Sequence, residues 1–225
     1  MHTSVIIPAI NEEQSLEYVL AAIPGDEVTE IILVDGGSTD NTVSVAKLAG
    51  ALVVNQSRRG YGLACATGVD QASGEVVVFM DADGADDPAQ IHDLISPLQD
   101  GVTDMVLGSR LAGNISKGAM PWHQRFGNWL SALLIRGLYG LQITDLSPFR
   151  AVRREKLLDL GMQEMTYGWP TEMITKAARQ GWRIVEIPVN YHPRLAGESK
   201  ISGTLRGTVL ATYYILKTIF KYVKA

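Results

Sequence analysis

Apolar residues along this chain come first in short unbroken runs. Ser4–Pro8, Ile31–Val34, Ala51–Val54 and Glu75–Met80 are rich in Val, Ile and Leu and show little polar alternation. Runs of that kind belong to strands covered on both faces, as in parallel sheets. Between them the spacing turns helical. Leu16, Val19, Leu20 and Ile23 precede a Pro24-Gly25 stop, and Val43–Ala49, Leu63–Ala72 and Pro88–Leu98 follow. Asp104–Leu107 reads as a further short strand. Alternation at this spacing predicts an α/β fold on a mostly parallel sheet.

The second part has a different texture. Arg110–Met120 is a polar, glycine-containing loop, Gly127–Leu141 a long apolar helix, and Thr144–Ala151 a tight segment leading to Val152–Leu160. Pro170–Gln180 reads as a helix stopped by Gly181. Arg183–Val189 alternates and ends in Pro188-Val189, which suits an edge strand. Arg194–Gly203 is a basic loop of glycine and serine, and Leu205–Lys224 a final helix. On a helical wheel Arg206, Lys217, Lys221 and Lys224 fall within about 60° of one another. Leu205, Val209, Tyr213, Leu216, Ile219, Phe220 and Val223 fill an adjoining arc about 120° wide. Such an amphipathic helix suits the headgroup plane of an anionic membrane. It equally suits packing on the sheet or on a second copy of the chain in a homodimer.

A chain of 225 residues, 46% hydrophobic and 20% charged, is that of a folded soluble protein with one sizeable core. Its net charge of −4 argues against a nucleic-acid surface. A lone cysteine, Cys65, forbids an internal disulfide and fits the cytoplasm. The N-terminus runs straight into a strand pattern, so no signal peptide is expected. No apolar stretch nears the roughly 20 residues of a spanning helix; Arg136 and Lys217 interrupt the two best candidates.

The chemistry gathers at strand ends. The run Val76–Met80 drives into Asp81-Ala82-Asp83-Gly84. In open α/β sheets ligands bind at the carboxyl ends of strands. Two aspartates at i and i+2 leaving a sheet can converge on one hard cation, Mg²⁺ or Mn²⁺, and leave room for substrate phosphates. Asp-Gly is also plain turn chemistry. Asn11, Glu12 and Asp35 end the earlier strands, so a parallel sheet sets all these acids on one rim, where a nucleotide's ribose and base could be held. His2, His92, His123 and His192 have no metal spacing. Trp122, Trp129, Trp169 and Trp182 are expected in the core or in groove walls, with Trp169 able to line an acceptor site.

Val5-Ile6-Ile7-Pro8-Ala9-Ile10-Asn11-Glu12-Glu13, Val34-Asp35-Gly36-Gly37-Ser38-Thr39-Asp40 and Asp81-Ala82-Asp83 together resemble family 2 glycosyltransferases of the GT-A fold. Gly108-Ser109-Arg110, Thr144-Asp145-Leu146-Ser147-Pro148-Phe149-Arg150 and Arg194-Leu195-Ala196-Gly197-Glu198-Ser199-Lys200 extend the match. They resemble the branch of dolichyl- and polyprenyl-phosphate mannose or glucose synthases. The resemblance implies a Rossmann-like GT-A domain over 1–203, with a nucleotide-sugar half at 1–108 and an acceptor half at 109–203, followed by the amphipathic helix at 204–225. It implies inverting transfer of a hexose from a UDP- or GDP-sugar to a polyprenyl phosphate or another acceptor.

Residue by residue, Pro8, Ala9, Glu12 and Asp35 match positions for base and ribose, and Asp81 and Asp83 the metal motif. Arg110, Arg125, Arg194 and Lys200 match positions that handle donor or acceptor phosphates. Cation and guanidinium groups would stabilise charge building on the leaving diphosphate, which puts Arg110 among the catalytic residues. Asp145 and Glu172 are the candidates for a base, needed by a hydroxyl acceptor and not by an ionised phosphate. Both also suit structural roles near helix starts. Gly36 and Ala85 depart from the family pattern and keep open an inactive nucleotide-sugar-binding module, while the Leu146-Ser147-Pro148-Phe149-Arg150 version of the Asp145 segment resembles a soluble branch and keeps open a soluble acceptor. A sugar-1-phosphate nucleotidyltransferase would need a basic glycine-rich loop after the first strand, where this chain has Asn11-Glu12-Glu13.

Overall fold

The computed structural model describes residues 1–197 and 205–223. One sheet carries seven strands: β1 (Thr3–Ala9), β2 (Glu30–Asp35), β3 (Leu52–Asn55), β4 (Val76–Phe79), β5 (Met105–Ser109), β6 (Arg150–Arg153) and β7 (Ile184–Pro188). Their order is β3-β2-β1-β4-β6-β5-β7, with β4 at the centre and β7 on an edge. The helices are α1 (Glu13–Ala22), α2 (Thr42–Leu48), α3 (Tyr61–Gln71), α4 (Ile91–Ile95), α5 (Trp122–Tyr139), α6 (Arg154–Asp159), α7 (Trp169–Arg179) and α8 (Leu205–Lys221).

The unbroken apolar runs are explained by two cores, one on each face of the sheet. Val5, Ile7, Val76 and Val78 point toward α1, α2 and α4, whose Leu16, Val19, Ala46, Ile91 and Leu94 are buried with them. Ile6, Val77 and Phe79 point the other way, into a layer that holds Cys65, Ile135, Met173 and Ile219 from α3, α5, α7 and α8. Successive residues thus serve opposite cores, so neither face can be polar. Each such side chain contributes on the order of 1.5–3 kcal/mol of burial. Gly68 lets α3 lie directly on β1, because a Cβ there would collide with the Ile6 side chain.

Three elements differ from expectation. β6 forms across the end of the segment expected as a tight connection, Thr144–Ala151, and the start of Val152–Leu160, and it runs antiparallel to both β4 and β5. Through β6 and β7 the second part completes the sheet begun by the first, so the halves expected to meet at 108/109 share one sheet. The helix expected over Pro88–Leu98 is broken into a 3₁₀ turn at Pro88–Gln90, the short α4, and a second 3₁₀ turn at Ser96–Asp100. Pro97 has no N–H to give to a carbonyl one turn back, so the α-helical ladder stops there although Ser96 keeps helical dihedrals. Helix α5 starts at Trp122, five residues before Gly127, directly after Pro121. The boundary expected at 203/204, Lys200 and Lys224 lie outside the described residues.

Candidate functional site

Strands β1, β2 and β4 are parallel, so their carboxyl ends share one rim, with Ala9 opposite Asp35. The loops that leave β1 and β2 are laced together. Asn11 N donates to Ser38 Oγ (2.9 Å), Asn11 Oδ1 accepts from Thr39 N (2.8 Å), and Glu12 N donates to Thr42 Oγ1 (2.8 Å). Asn11 takes φ 52°, a left-handed conformation that asparagine tolerates better than most residues. Asp35 is buried and accepts from Gly37 N and Ser38 N, each at 3.1 Å, which fixes its carboxylate at the strand end. Pro8 and Ala9 line the same corner at the end of β1.

Beyond β4 three carboxylates crowd together. Asp83 is only 6% exposed, not the exposed strand-end acid its sequence position suggests. The cover comes from the basic loop. Arg194 pairs with Asp83 and, through its other terminal nitrogen, with Glu12 at 2.8 Å, and Leu195 N donates to Asp83 O at 3.0 Å. Gly84 permits this approach: its φ is +74° and a Cβ there would strike Leu195. Asp86 is buried too, and its Oδ1 has no hydrogen-bond partner. Burial, followed by repulsion from Asp83, pushes the Asp86 carboxyl up to about 7. The same two causes raise Asp81 well above the usual carboxylate range. Burial raises Asp83 as well, with the Arg194 charge opposing it. A cavity of about 110 Å³ lies beside this cluster, lined by Asn11, Glu12, Ser15, Asp40, Ala196 and Gly197.

Among the described residues no set of three His, Cys, Asp or Glu side chains is arranged around a metal position. Two aspartates and a phosphate-bearing donor are nonetheless what Mg²⁺ or Mn²⁺ takes, with water filling the remaining positions. The mutual repulsion of Asp81, Asp83 and Asp86 and the orphaned oxygen of Asp86 fit such a cation.

Across the rim, Arg110 follows β5 and is held from several sides. Its Nε and terminal nitrogen donate to the two oxygens of Asp145 at 2.7 and 2.9 Å, and its backbone N–H to the same carboxylate at 3.0 Å. Leu146 N supplies a fourth donor at 2.7 Å. Glu186 on β7 fixes the Asp145 segment by accepting from Thr144 N (2.8 Å) and Asp145 N (3.1 Å). The guanidinium lies 5.0 Å from the centre of the Tyr191 ring. Burial works against its charge, but Asp145 more than compensates and keeps Arg110 protonated. The chain therefore presents a fixed, buried cation opposite a buried cluster of acids.

Not every expected residue joins this site. Asp145 is there, but its four accepted hydrogen bonds make it the orienter of Arg110 rather than a free base. Glu172 is fully buried and likewise saturated. Gln163 N and Glu164 N donate to one oxygen (2.9 and 2.6 Å), and Tyr222 Oη and Lys176 Nζ bind the other. Burial opposes its charge, yet Lys176, Tyr222 and the two N–H groups hold its pKa below the usual value. Glu172 ties the 161–166 loop to the end of α8, which is not the geometry of a base. Trp169 is 3% exposed and packs in the core, so it lines no acceptor surface, whereas Trp122 and Trp129 stand out from α5. Arg125 is exposed on the first turns of α5.

Sequence reasoning missed Asp86, Tyr191 and Glu186. Asp86 had a signal, being the third acid in Asp81-Ala82-Asp83-Gly84-Ala85-Asp86. Tyr191 had none, because its place depends on bridges to Asp86 and Ile115 that only the fold creates.

Known proteins agree with this architecture. Residues 4–161 match the family model for Glycosyl transferase family 2. An uncharacterized glycosyltransferase of Mycobacterium bovis is 41% identical over 216 residues, covering 96% of this chain and 97% of that one. The dolichyl-phosphate hexose transferase of Haloferax volcanii is 36% identical over 92% of this chain and 90% of its own. The undecaprenyl-phosphate mannosyltransferase of Micrococcus luteus is 32% identical with the same coverage. Among solved structures, glucosyl-3-phosphoglycerate synthase from Mycobacterium tuberculosis, in complex with Mn²⁺, UDP-glucose and phosphoglyceric acid, superposes with a TM-score of 0.78. It is 25% identical and covers 99% of this chain and 79% of that one. The fold is GT-A, and the chain belongs to glycosyl transferase family 2 as a glycosyltransferase.

Proposed function

We propose that this enzyme transfers a hexose, with inversion, from a UDP- or GDP-sugar to a polyprenyl phosphate. In this reading residues 1–108 hold the donor, with Pro8, Ala9, Glu12 and Asp35 at base and ribose. Asp81 and Asp83 hold Mg²⁺ or Mn²⁺, which would neutralise the donor diphosphate. Residues 109–203 supply the acceptor side. An acceptor phosphate oxygen attacks the anomeric carbon, the bond to the β-phosphate oxygen breaks, and the nucleoside diphosphate leaves. Arg110, pre-oriented by Asp145, stabilises the charge that builds on the leaving oxygen or the incoming phosphate. Arg194 and Lys200 would close over the phosphates, with Arg125 near the acceptor's entrance. Release of Arg194 from Asp83 is then part of donor binding.

The observation that carries the choice of acceptor is the state of the two base candidates. Asp145 and Glu172 each accept four hydrogen bonds and have no lone pair left for a substrate hydroxyl. A phosphate acceptor is already ionised and asks for no base. The names of the Haloferax and Micrococcus relatives favour the same acceptor. A body bound peripherally at the cytoplasmic face of the membrane would reach it; no described helix is long and apolar enough to cross a bilayer. A second reading, transfer to a small phosphorylated acceptor, is favoured by the Mycobacterium structure with phosphoglyceric acid.

The test is transfer of radiolabelled glucose or mannose from UDP- or GDP-sugars to undecaprenyl phosphate or to 3-phosphoglycerate, with Mn²⁺ or with EDTA. Metal-dependent label in the lipid fraction is expected. Label in 3-phosphoglycerate alone would replace the proposed acceptor with the soluble one.

A further inference from the structure

The surface carries a feature that the transfer site does not use. On α5, Trp122, Phe126, Trp129 and Leu133 are 78%, 54%, 52% and 46% exposed. They recur at intervals of four, three and four residues and share one stripe about 60° wide. The opposite side of the helix buries Ser131, Ala132 and Ile135. The stripe is therefore the outer face of a well-seated helix, not a frayed end.

Helix α8 packs against α5 in the same layer, and Tyr139 Oη donates to Ile219 O between them. The apolar arc of α8 divides. Ile219 turns into the body, as does Tyr222 just past the helix end, while Val209, Tyr213 and Phe220 stay exposed beside Lys217 and Lys221. Packing against the body and an outward apolar face are thus both realised on one helix. Lys217 lies 5.8 Å from the Tyr213 ring centre, so charge and aromatic surface are interleaved.

The charge around these helices is one-sided. Between Asp104 and Asp145 there is no acid, and Glu198 is the last acid in the chain. Those two stretches carry nine of the 20 Lys and Arg residues and none of the 24 Asp and Glu. The chain as a whole is negative, at −4. Exposed Trp, Tyr and Phe flanked along the chain only by cations match the headgroup zone of an anionic bilayer, where amphipathic rings and lysines both gain. A second copy of the chain fits less well, because a two-fold contact would set basic against basic.

We propose that α5 and α8 together form a docking face for an anionic lipid surface, with the Trp122–Phe126–Trp129 stripe as its inserted edge. The proposal does not rest on the identity of the acceptor. It would hold for a lipid or a soluble one.

The experiment is co-sedimentation with vesicles of phosphatidylcholine alone or mixed in equal parts with phosphatidylglycerol, at low and high salt. It uses the intact chain, the triple variant W122S/F126S/W129S, and the double variant K217E/K221E. Circular dichroism and a thermal shift with UDP-glucose and Mn²⁺ check each variant's fold and donor site without lipid. Binding of the intact chain to the anionic vesicles, weakened by salt and reduced roughly tenfold or more in both variants, is expected. Tryptophan emission should move to the blue on binding, because Trp122 and Trp129 leave water. Three results would overturn the proposal: intact protein left in the supernatant, equal binding by the folded triple variant, or a dimer in light scattering that this variant dissociates. The last would make the face a contact between copies. Failure of lipid-acceptor transfer with vesicle binding intact would count against the acceptor reading and leave this one standing.

Discussion

Replacing Asp145 by Asn separates a positioning role from that of a base. The carboxylate accepts from Arg110 Nε at 2.7 Å, the Arg110 terminal nitrogen at 2.9 Å, Arg110 N at 3.0 Å and Leu146 N at 2.7 Å. An asparagine keeps one oxygen and turns an NH₂ group toward two of these donors, so two bonds become donor against donor. Arg110 is 5% exposed and would be left as a buried cation without its counter-charge. Breaking a buried pair in this way costs about 3–5 kcal/mol. For a chain of this size each kcal/mol is worth about 2–4 °C, so the midpoint of thermal unfolding should fall by roughly 6–20 °C. Donor affinity and turnover should fall together as Arg110 loses its orientation, and the variant's residual activity should keep the parent's pH profile. Differential scanning calorimetry and steady-state kinetics across pH check both. A variant that unfolds within about 2 °C of the parent, binds donor normally and loses turnover with its acid limb would restore Asp145 as the base.

Other expectations rest on the same geometry. D83N should lower metal-dependent turnover by roughly 100-fold or more, read as initial rates over a Mn²⁺ titration; parent-like rates in EDTA would refute a role for the cation. R194Q should bind Mn²⁺ alone more tightly than the parent, because Arg194 no longer neutralises Asp83, while turnover falls; calorimetric titration reads the first effect and rates the second. In EDTA the protein should be more stable at pH 5 than at pH 7.5. Asp86, raised to about 7, holds a proton in the folded state that the unfolded chain gives up near 4, so stability drops as pH rises through that window, by at most roughly 2–3 kcal/mol between pH 5 and pH 7.5. Urea denaturation at the two pH values measures it, and saturating Mn²⁺ should reduce the drop. E172Q should destabilise without altering the pH profile of the remaining activity, since Glu172 anchors the 161–166 loop to α8.

What the sequence made legible follows from how local each signal was. The parallel half was readable because strands with cores on both faces leave unbroken apolar runs, and because Asp35, Asp81 and Asp83 sit at the ends of those runs. β6 was not, since Arg150–Arg153 carries an arginine at each end. Arg150 is fully buried, and its guanidinium donates to the carbonyls of Pro148, Pro170 and Ser147, a solution that no periodicity announces. Asp145 and Arg110 were both singled out, but their pairing was hidden: they are 35 residues apart and meet only because β6 returns beside β5. Glu172 misled for the opposite reason. An acid just inside a helix start has the same sequence signature whether it faces a substrate or, as here, a loop and Tyr222.

The antiparallel strand also explains how one fold joins two chemistries. A parallel sheet alone delivers its loops to one rim, and the first half uses that rim for Glu12, Asp35 and the aspartates after β4. β6 enters between β4 and β5 from the opposite direction, so the segment that precedes it, Thr144–Phe149, begins on that same rim. This places Asp145 where it can grip Arg110, which leaves β5 at the same end. Glu186, paired with Leu107 across β5 and β7, then pins the Asp145 backbone from the far side. Three strands thus converge to hold one guanidinium still. A cation fixed before substrate arrives need not be reorganised as charge develops. Arg194 stands in contrast: it reaches the acids from a glycine-containing loop, and its contacts with Glu12 and Asp83 are ones a metal-bound donor would replace. In the proposed function the site would set an immobile cation opposite a movable one, and the variants of Asp145 and Arg194 above probe those two behaviours separately.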